Sequence, residues 1–127
     1  MTNSTQLGDL QLAIMRVLWD LDQATVAQVH ARLQVERGLA LTTIATMLTK
    51  MERKGVVTHH TEGRQFVYRP IVSETEVNRC MVSDLTQRLF RGDAAALVNH
   101  LLTEGEIDPL ELSRIQAMIE SRARKEA

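Results

Sequence analysis

Threonines and basic residues are concentrated in one short stretch of this 127-residue chain. Residues 42–54 contain four threonines, three cations and a single acid, Glu52. In a helix, at about 100° per residue, Ile44, Leu48 and Met51 would share one side and the threonines and cations the opposite arc. Short hydroxyls can touch phosphates or thymine methyls, and lysine reaches a guanine edge or a phosphate. The predicted DNA contacts are Thr42, Thr43, Thr46, Thr49, Lys50, Arg53 and Lys54.

A plainer interpretation is a helix whose threonines only face water. An ordinary solvated face would mix charges, whereas Glu52 lies near 180° on the wheel, off the polar arc. Threonine is also a mediocre helix former, so four of them in about eight residues need a reason. The pattern favours DNA contact.

Other reactive side chains give weaker signals. Arg64 lies in a turn and would reach the minor groove or a flanking phosphate; a plain surface arginine is the alternative. His59 and His60 are neighbours in a strand-like run and would point to opposite faces, which disfavours a shared metal ion. The single cysteine, Cys80, excludes an intramolecular disulfide and a cysteine-rich zinc site. With no catalytic motif present, we predict no enzymatic activity, no metal and no cofactor.

The elements that would position the polar arc follow from the apolar periodicity of residues 1–72. One helix is predicted over about 8–21 and a second after an N-cap at Thr25. Leu39–Leu41 is predicted to be a connector or a one-bridge strand. Thr42 would cap a third helix over about 43–54, with Leu41 on its buried side. Strand-like runs at 56–60 and 65–69, joined by a turn at 61–64, predict a hairpin. Three helices followed by a hairpin describe a winged helix.

Residues 73–127 predict three further helices with apolar stripes. Ser73 and Glu76 form a capping box, and Asp93 and Asp108 are N-cap candidates. A unit this small cannot shield three stripes alone, so we expect a two-fold dimer. The predicted dimerisation residues are Val77, Met81, Leu85, Leu89, Leu97, Leu101, Leu112, Ile115 and Ile119.

The expected fold is therefore mainly α with a small β-hairpin. A winged helix-turn-helix domain (1–72) would precede a small three-helix dimerisation domain (73–127). The formal net charge is −1, yet residues 41–72 carry five basic residues against two acidic ones. No apolar run approaches the roughly 18 residues of a membrane span, and residues 1–7 are polar and uncharged, unlike a signal peptide. We expect a cytoplasmic chain without membrane insertion.

Several segments resemble the BlaI/MecI family of penicillinase repressors. These are residues 42–55, Tyr68-Arg69-Pro70, the opening helix from Leu10 through Trp19, and residues 26–29. The resemblance spans nearly the whole chain. It implies a dimeric winged-helix repressor of palindromic double-stranded operators, with DNA contacts at Thr42, Thr43, Thr46, Lys50 and Arg64.

The resemblance also implies a switch. In antibiotic-responsive members a membrane sensor protease signals β-lactam, and the repressor is cut at an Asn-Phe bond in the dimerisation domain. The aligned bond here is Asn99-His100, with histidine in place of phenylalanine. The alternative is that Val98 and Leu101 simply pack in the dimer core and nothing is cut. The copper-responsive branch carries Cys-x-Cys pairs, which this chain lacks.

Competing functions remain open at this point. Within the repressor class, a small ligand at the dimer interface could replace proteolysis as the trigger. A winged-helix protein-interaction module would instead place acids or exposed aromatics on the outer face of the third helix, and the sequence has neither there. The sequence leaves open the operator, the regulated genes and the inducing signal.

Overall fold

The computed structural model describes residues 6–126 and, within them, six helices and three strands. Residues 1–5 and 127 lie outside the described residues, as does most of the N-terminal stretch that predicts the absence of a signal peptide. The elements are α1 (Asp9–Leu21), β1 (Ala24–Thr25), α2 (Val26–Arg37), α3 (Leu41–Lys54), β2 (Val57–Glu62), β3 (Gln65–Pro70), α4 (Glu74–Phe90), α5 (Ala94–Glu104) and α6 (Pro109–Glu126).

The predicted fold class is confirmed: three helices and a hairpin come first, and three helices follow. The hairpin strands β2 and β3 pair antiparallel, from Val57 opposite Pro70 to Glu62 opposite Gln65. A third strand, β1, lies on the other side of β3, which gives the order β1-β3-β2. The sequence did not predict β1, because a two-residue strand has no periodicity to detect.

Two compact units divide the chain, Met1–Asp84 and Leu85–Ala127. The core of the first unit contains side chains from α1, α2, α3, β2 and the start of α4. Its largest fully buried members are Ile14, Met15, Leu18, Val29, Ile44, Leu48, Met51, Val56, Val57 and Val77. The functional boundary at residue 72 stays a prediction, while the packing units divide inside α4.

The start of α4 corrects part of the predicted dimer surface. Val77 is fully buried, and Met81 packs against the same core. Both side chains are therefore used within the first unit, and Val77 is inaccessible to a partner. The sequence pattern could not distinguish these two positions from the later apolar residues of α4, because the helix crosses the boundary between the units and its apolar residues keep the same spacing on both sides.

Local signals explain where four of the six described helices begin. Thr25 and Gln28 form a capping box at the start of α2, and Ser73 and Glu76 form another before α4. In the second unit, the Ala96 amide donates to the Asp93 carboxylate at 3.0 Å before α5, and the Glu111 amide donates to Asp108 at 2.8 Å before α6. These predicted caps are confirmed.

The start of α3 differs from the prediction. The helix begins at Leu41 with Ala40 as its N-cap, and no side chain caps it. Thr42 therefore lies within the first turn. Leu41 is 47% exposed, so its predicted place on the buried side is wrong. Residues 39–40 are a connector without a strand.

Candidate nucleic-acid interface

The surface of α3 divides into a core side and a polar side. Ile44, Leu48 and Met51 are fully buried, as the helical wheel predicts. The opposite side is exposed and has hydroxyl and cationic side chains with no carboxylate. We define this surface as the α3 polar face; its residues are Thr42, Thr43, Thr46, Thr49, Lys50 and Arg53.

Two connections fix α3 in the first unit. Before the helix, the His30 Nε2 donates to the Leu39 carbonyl at 2.8 Å, which ties α2 to the short connector. After it, Gly55 takes a left-handed conformation with φ of 86° and ends the helix, as its place in the sequence predicts. The next residue, Val56, is fully buried, so the chain re-enters the core at once. The polar face is thus presented on a helix whose two ends are tied to the first unit.

Lys54 is positioned differently from the other cations of α3. Its ammonium donates hydrogen bonds to the Gln6 carbonyl oxygen and to the Gln11 Oε1, the latter at 3.1 Å, and the residue is half-buried. The ammonium thus holds α3 to the start of α1. This corrects the sequence prediction, and we leave Lys54 out of the α3 polar face. The wheel could not reveal these partners, because they come from a distant segment.

Glu52, the one acid of α3, is held by the β2–β3 hairpin, which we call the wing. The Nδ1 of His59, on β2, donates to both carboxylate oxygens of Glu52, at 2.7 and 2.9 Å. Both side chains are about 30% exposed. This contact explains how α3 carries an acid without placing it on the polar face.

An aromatic cluster extends from this contact along one face of the hairpin. The His59 ring stacks on Phe66, with centroids 4.1 Å apart and planes at 21°, and lies 5.3 Å from the Tyr68 ring. Tyr68 is buried, and its hydroxyl hydrogen-bonds with Thr49 of α3. Burial raises the pKa of Tyr68 above 10.0; the bond to Thr49 offsets part of the increase, and the negative charge of Glu52 adds to it.

Sequence reasoning missed this cluster. The alternation in β2 and β3 did contain a signal, since a hairpin with the observed register puts His59 directly opposite Tyr68. The partner on α3 required the tertiary structure. His60 points to the other face, where its Nε2 donates to Glu62 at 2.6 Å. The two histidines thus have separate carboxylate partners, and residues 6–126 contain no cluster of three or more side chains able to hold a metal ion.

Arg64 lies at the tip of the wing. The strands extend to Glu62 and from Gln65, so the loop is Gly63-Arg64, shorter than the predicted four-residue turn. Gly63 has a positive φ of 62°, which a two-residue hairpin loop needs at its first position. The Arg64 side chain is exposed. The geometry therefore presents one guanidinium at the end of the hairpin.

The second unit exposes a large apolar surface. Leu89 is 70% exposed, Leu101 50% and Ile119 59%, whereas Leu97 and Ile115 are half-buried. We define the C-terminal apolar surface as Leu85, Leu89, Leu97, Leu101, Leu112, Ile115 and Ile119. Val98, which the sequence analysis placed in the dimer core as an alternative to cleavage, is exposed here, as are Leu102, Leu110 and Met118.

Asn99 and His100 are exposed residues in the middle of α5. The Thr103 hydroxyl donates to the Asn99 carbonyl, and the His100 ring lies 5.9 Å from that of Phe90. The bond between them is therefore in regular helix. Among the described residues, every helix is too short or too polar to span a bilayer.

Comparison with known proteins gives a consistent result. The family model described as penicillinase repressor matches residues 7–121. The transcriptional regulator BlaI of Mycobacterium tuberculosis is 36% identical over 124 residues, which cover 95% of this chain and 90% of that protein. The penicillinase repressor of Bacillus licheniformis is 27% identical over 115 residues, which cover 91% and 90% respectively.

Two solved structures share the fold of the first unit at 34% sequence identity. One is the solution structure of the DNA-binding domain of the repressor BlaI, with a TM-score of 0.53. The other is monomeric Bacillus licheniformis BlaI in complex with the blaP half-operator, with a TM-score of 0.51. Each match covers 60% of this chain and 93% of the other.

Proposed function

The chain belongs to the penicillinase repressor family, and from this premise we propose that it is a DNA-binding transcriptional repressor that reads a palindromic operator as a homodimer. The family is one of transcriptional repressors and not of enzymes. In this proposal the α3 polar face enters the major groove, Arg64 contacts the flanking minor groove or phosphate, and the second unit holds two copies together.

The observation that carries the proposal is the composition of the α3 polar face. Four exposed threonines stand beside Lys50 and Arg53 without a carboxylate among them, and of their hydroxyls that of Thr49 also donates to the Ala45 carbonyl. Phosphate contacts by cations supply affinity, and contacts of short side chains with base edges supply specificity. A carboxylate on this face would weaken phosphate and base contacts alike; Glu52 lies off the face by its position on the helix and bonds there to His59. The half-operator complex of the related repressor supports the same use of this domain.

The C-terminal apolar surface supports the proposed dimer. Several leucines and isoleucines of this surface are at least half exposed to water in a single chain. Apolar surface exposed in this way is typical of a subunit interface, where a partner removes it from water. A second copy provides the same surface by two-fold symmetry. Two linked α3 helices would then favour an operator with two inverted half-sites.

Operator binding tests the proposal directly. A duplex selected from a random library and a scrambled duplex are titrated at two salt concentrations. We expect wild type to prefer the selected duplex and Lys50→Ala to weaken that binding by about 1–3 kcal/mol if the lost contact reads a base. Val35→Ala is the matched control, because Val35 is 91% exposed on α2, outside the polar face. Equal, salt-insensitive binding by wild type and Lys50→Ala would refute the assignment.

Release of the repressor would follow from separation of the two second units. We propose cleavage of the Asn99-His100 bond by a sensor protease as the route. Both residues are exposed, and α5 has eleven residues, short enough to open locally for a protease. The test is the size of the chain in cells before and after a β-lactam challenge. A chain that stays full length while its target genes switch on would exclude cleavage and leave a ligand as the trigger.

A further inference from the structure

The distal half of the wing has few contacts that set its direction. The strand β1 pairs with β3 only at Tyr68 and Val67, near the base of the hairpin. Beyond that point, residues 61–66 pair only with each other. A two-stranded ribbon is marginally stable by itself. Whatever fixes the hairpin relative to α3 therefore decides where Arg64 lies when α3 is in the groove.

We propose that His59 is a positioning residue that holds the wing against α3, so that Arg64 and the α3 polar face engage DNA together. The inference rests on the proposed function. It adds a residue that touches no DNA in the proposed mode of binding and acts through the contacts of its ring.

The contacts of His59 form a continuous path between the two DNA-facing elements. On one side, its Nδ1–H donates to the Glu52 carboxylate of α3. On the other, its ring stacks on Phe66, which follows Arg64 by two residues in the adjacent strand. Tyr68 flanks the ring and bonds with Thr49 of α3. The wing is thus joined to α3 at two places on the same rung of the hairpin, His59 and Tyr68, and the His59 ring extends the contact to Phe66, nearer the tip.

A double-mutant cycle between His59 and Arg64 tests positioning. We expect His59→Gln to weaken binding to the selected duplex by about threefold to tenfold, a typical coupling for residues in one network. In the Arg64→Ala background, His59→Gln should reduce the affinity for the selected duplex by less than about twofold, because the tip then has no arginine whose position could affect binding. Equal effects in both backgrounds would overturn the proposal. Circular dichroism establishes that each variant is folded.

His60→Gln is the matched control for this cycle. It also removes a histidine with a carboxylate partner, but on the other face of the hairpin. Its effect on binding to the selected duplex should therefore be the same with Arg64 and in the Arg64→Ala background.

Glu52→Gln provides a second test that leaves the strands untouched. Positioning requires the bond between His59 and the Glu52 carboxylate, so the effect of Glu52→Gln on binding should depend on Arg64 in the same way as that of His59→Gln. Independent effects of Glu52→Gln and Arg64→Ala, or a coupling of His60→Gln to Arg64→Ala as large as that of His59→Gln, would overturn the proposal. If wild type shows no preference for the selected duplex, the proposed function fails with it; normal wild-type binding without coupling refutes His59 alone.

Discussion

Leu89 offers the sharpest test of the dimer. Its side chain is 70% exposed in the single chain, so shortening it should leave the folded monomer nearly unchanged. In the proposed dimer a second copy covers it. Leu89→Ala should therefore weaken association without unfolding the chain.

The size of the effect follows from the exposed area. Removing three carbons from a fully buried site costs about 2.4 kcal/mol, at about 0.8 kcal/mol per carbon. With 70% of the side chain available to a partner, about 1.7 kcal/mol is lost in each copy. The two-fold interface counts the change twice, so the total is about 3.4 kcal/mol. This corresponds to a rise of about 300-fold in the dimer Kd.

Sedimentation equilibrium over a range of concentrations measures this Kd. Val35→Ala is the control, since Val35 is an equally apolar and more exposed residue in the first unit, and it should leave association unchanged. The thermal unfolding of Leu89→Ala at concentrations where both proteins are monomeric should match that of wild type. A Leu89→Ala variant that dimerises as tightly as wild type would show that the interface does not use this surface.

Three further predictions concern the first unit. Thr46→Ala should reduce discrimination between the selected and scrambled duplexes by about 1–3 kcal/mol, measured by competition titration; unchanged discrimination would remove Thr46 from the readout. Lys54→Ala should lower the free energy of unfolding, measured in urea, by about 1 kcal/mol and leave the operator affinity close to that of wild type. Arg53→Ala should instead weaken the binding of all duplexes alike. The absorbance of the single tyrosine, Tyr68, should titrate above pH 10, because burial raises its pKa in the folded chain. The stability linked to the neutral phenol is therefore present below pH 10 and is lost as the pH rises through the folded-state pKa. A midpoint at or below 10 would contradict the buried, carboxylate-facing position.

The sequence predicted the parts of the fold that depend on local signals. Periodicity located the helices, and capping residues such as Ser73 and Asp108 marked where they begin. The wheel identified the buried side of α3 correctly at Ile44, Leu48 and Met51. These predictions succeeded because each depends on residues within one or two helical turns.

The errors concern residues whose surroundings come from distant segments. Leu41 follows the core periodicity, yet it lies at the first position of α3, where no other element covers it. Lys54 bonds to residues near the N-terminus, and Val77 packs on the first unit instead of continuing the apolar surface of the second. The bond between Glu52 and His59 joins a helix to a strand and is likewise invisible to a wheel.

The central claim is that the α3 polar face and the wing tip are the surface that meets DNA. Chemical-shift mapping of the ¹⁵N-labelled full chain during titration with the selected duplex tests it most directly. The account predicts that the largest shifts fall on Thr42, Thr43, Thr46, Lys50 and Arg64, and that a scrambled duplex gives smaller, salt-sensitive shifts. Largest shifts on α5 or α6, with α3 unchanged, would contradict it.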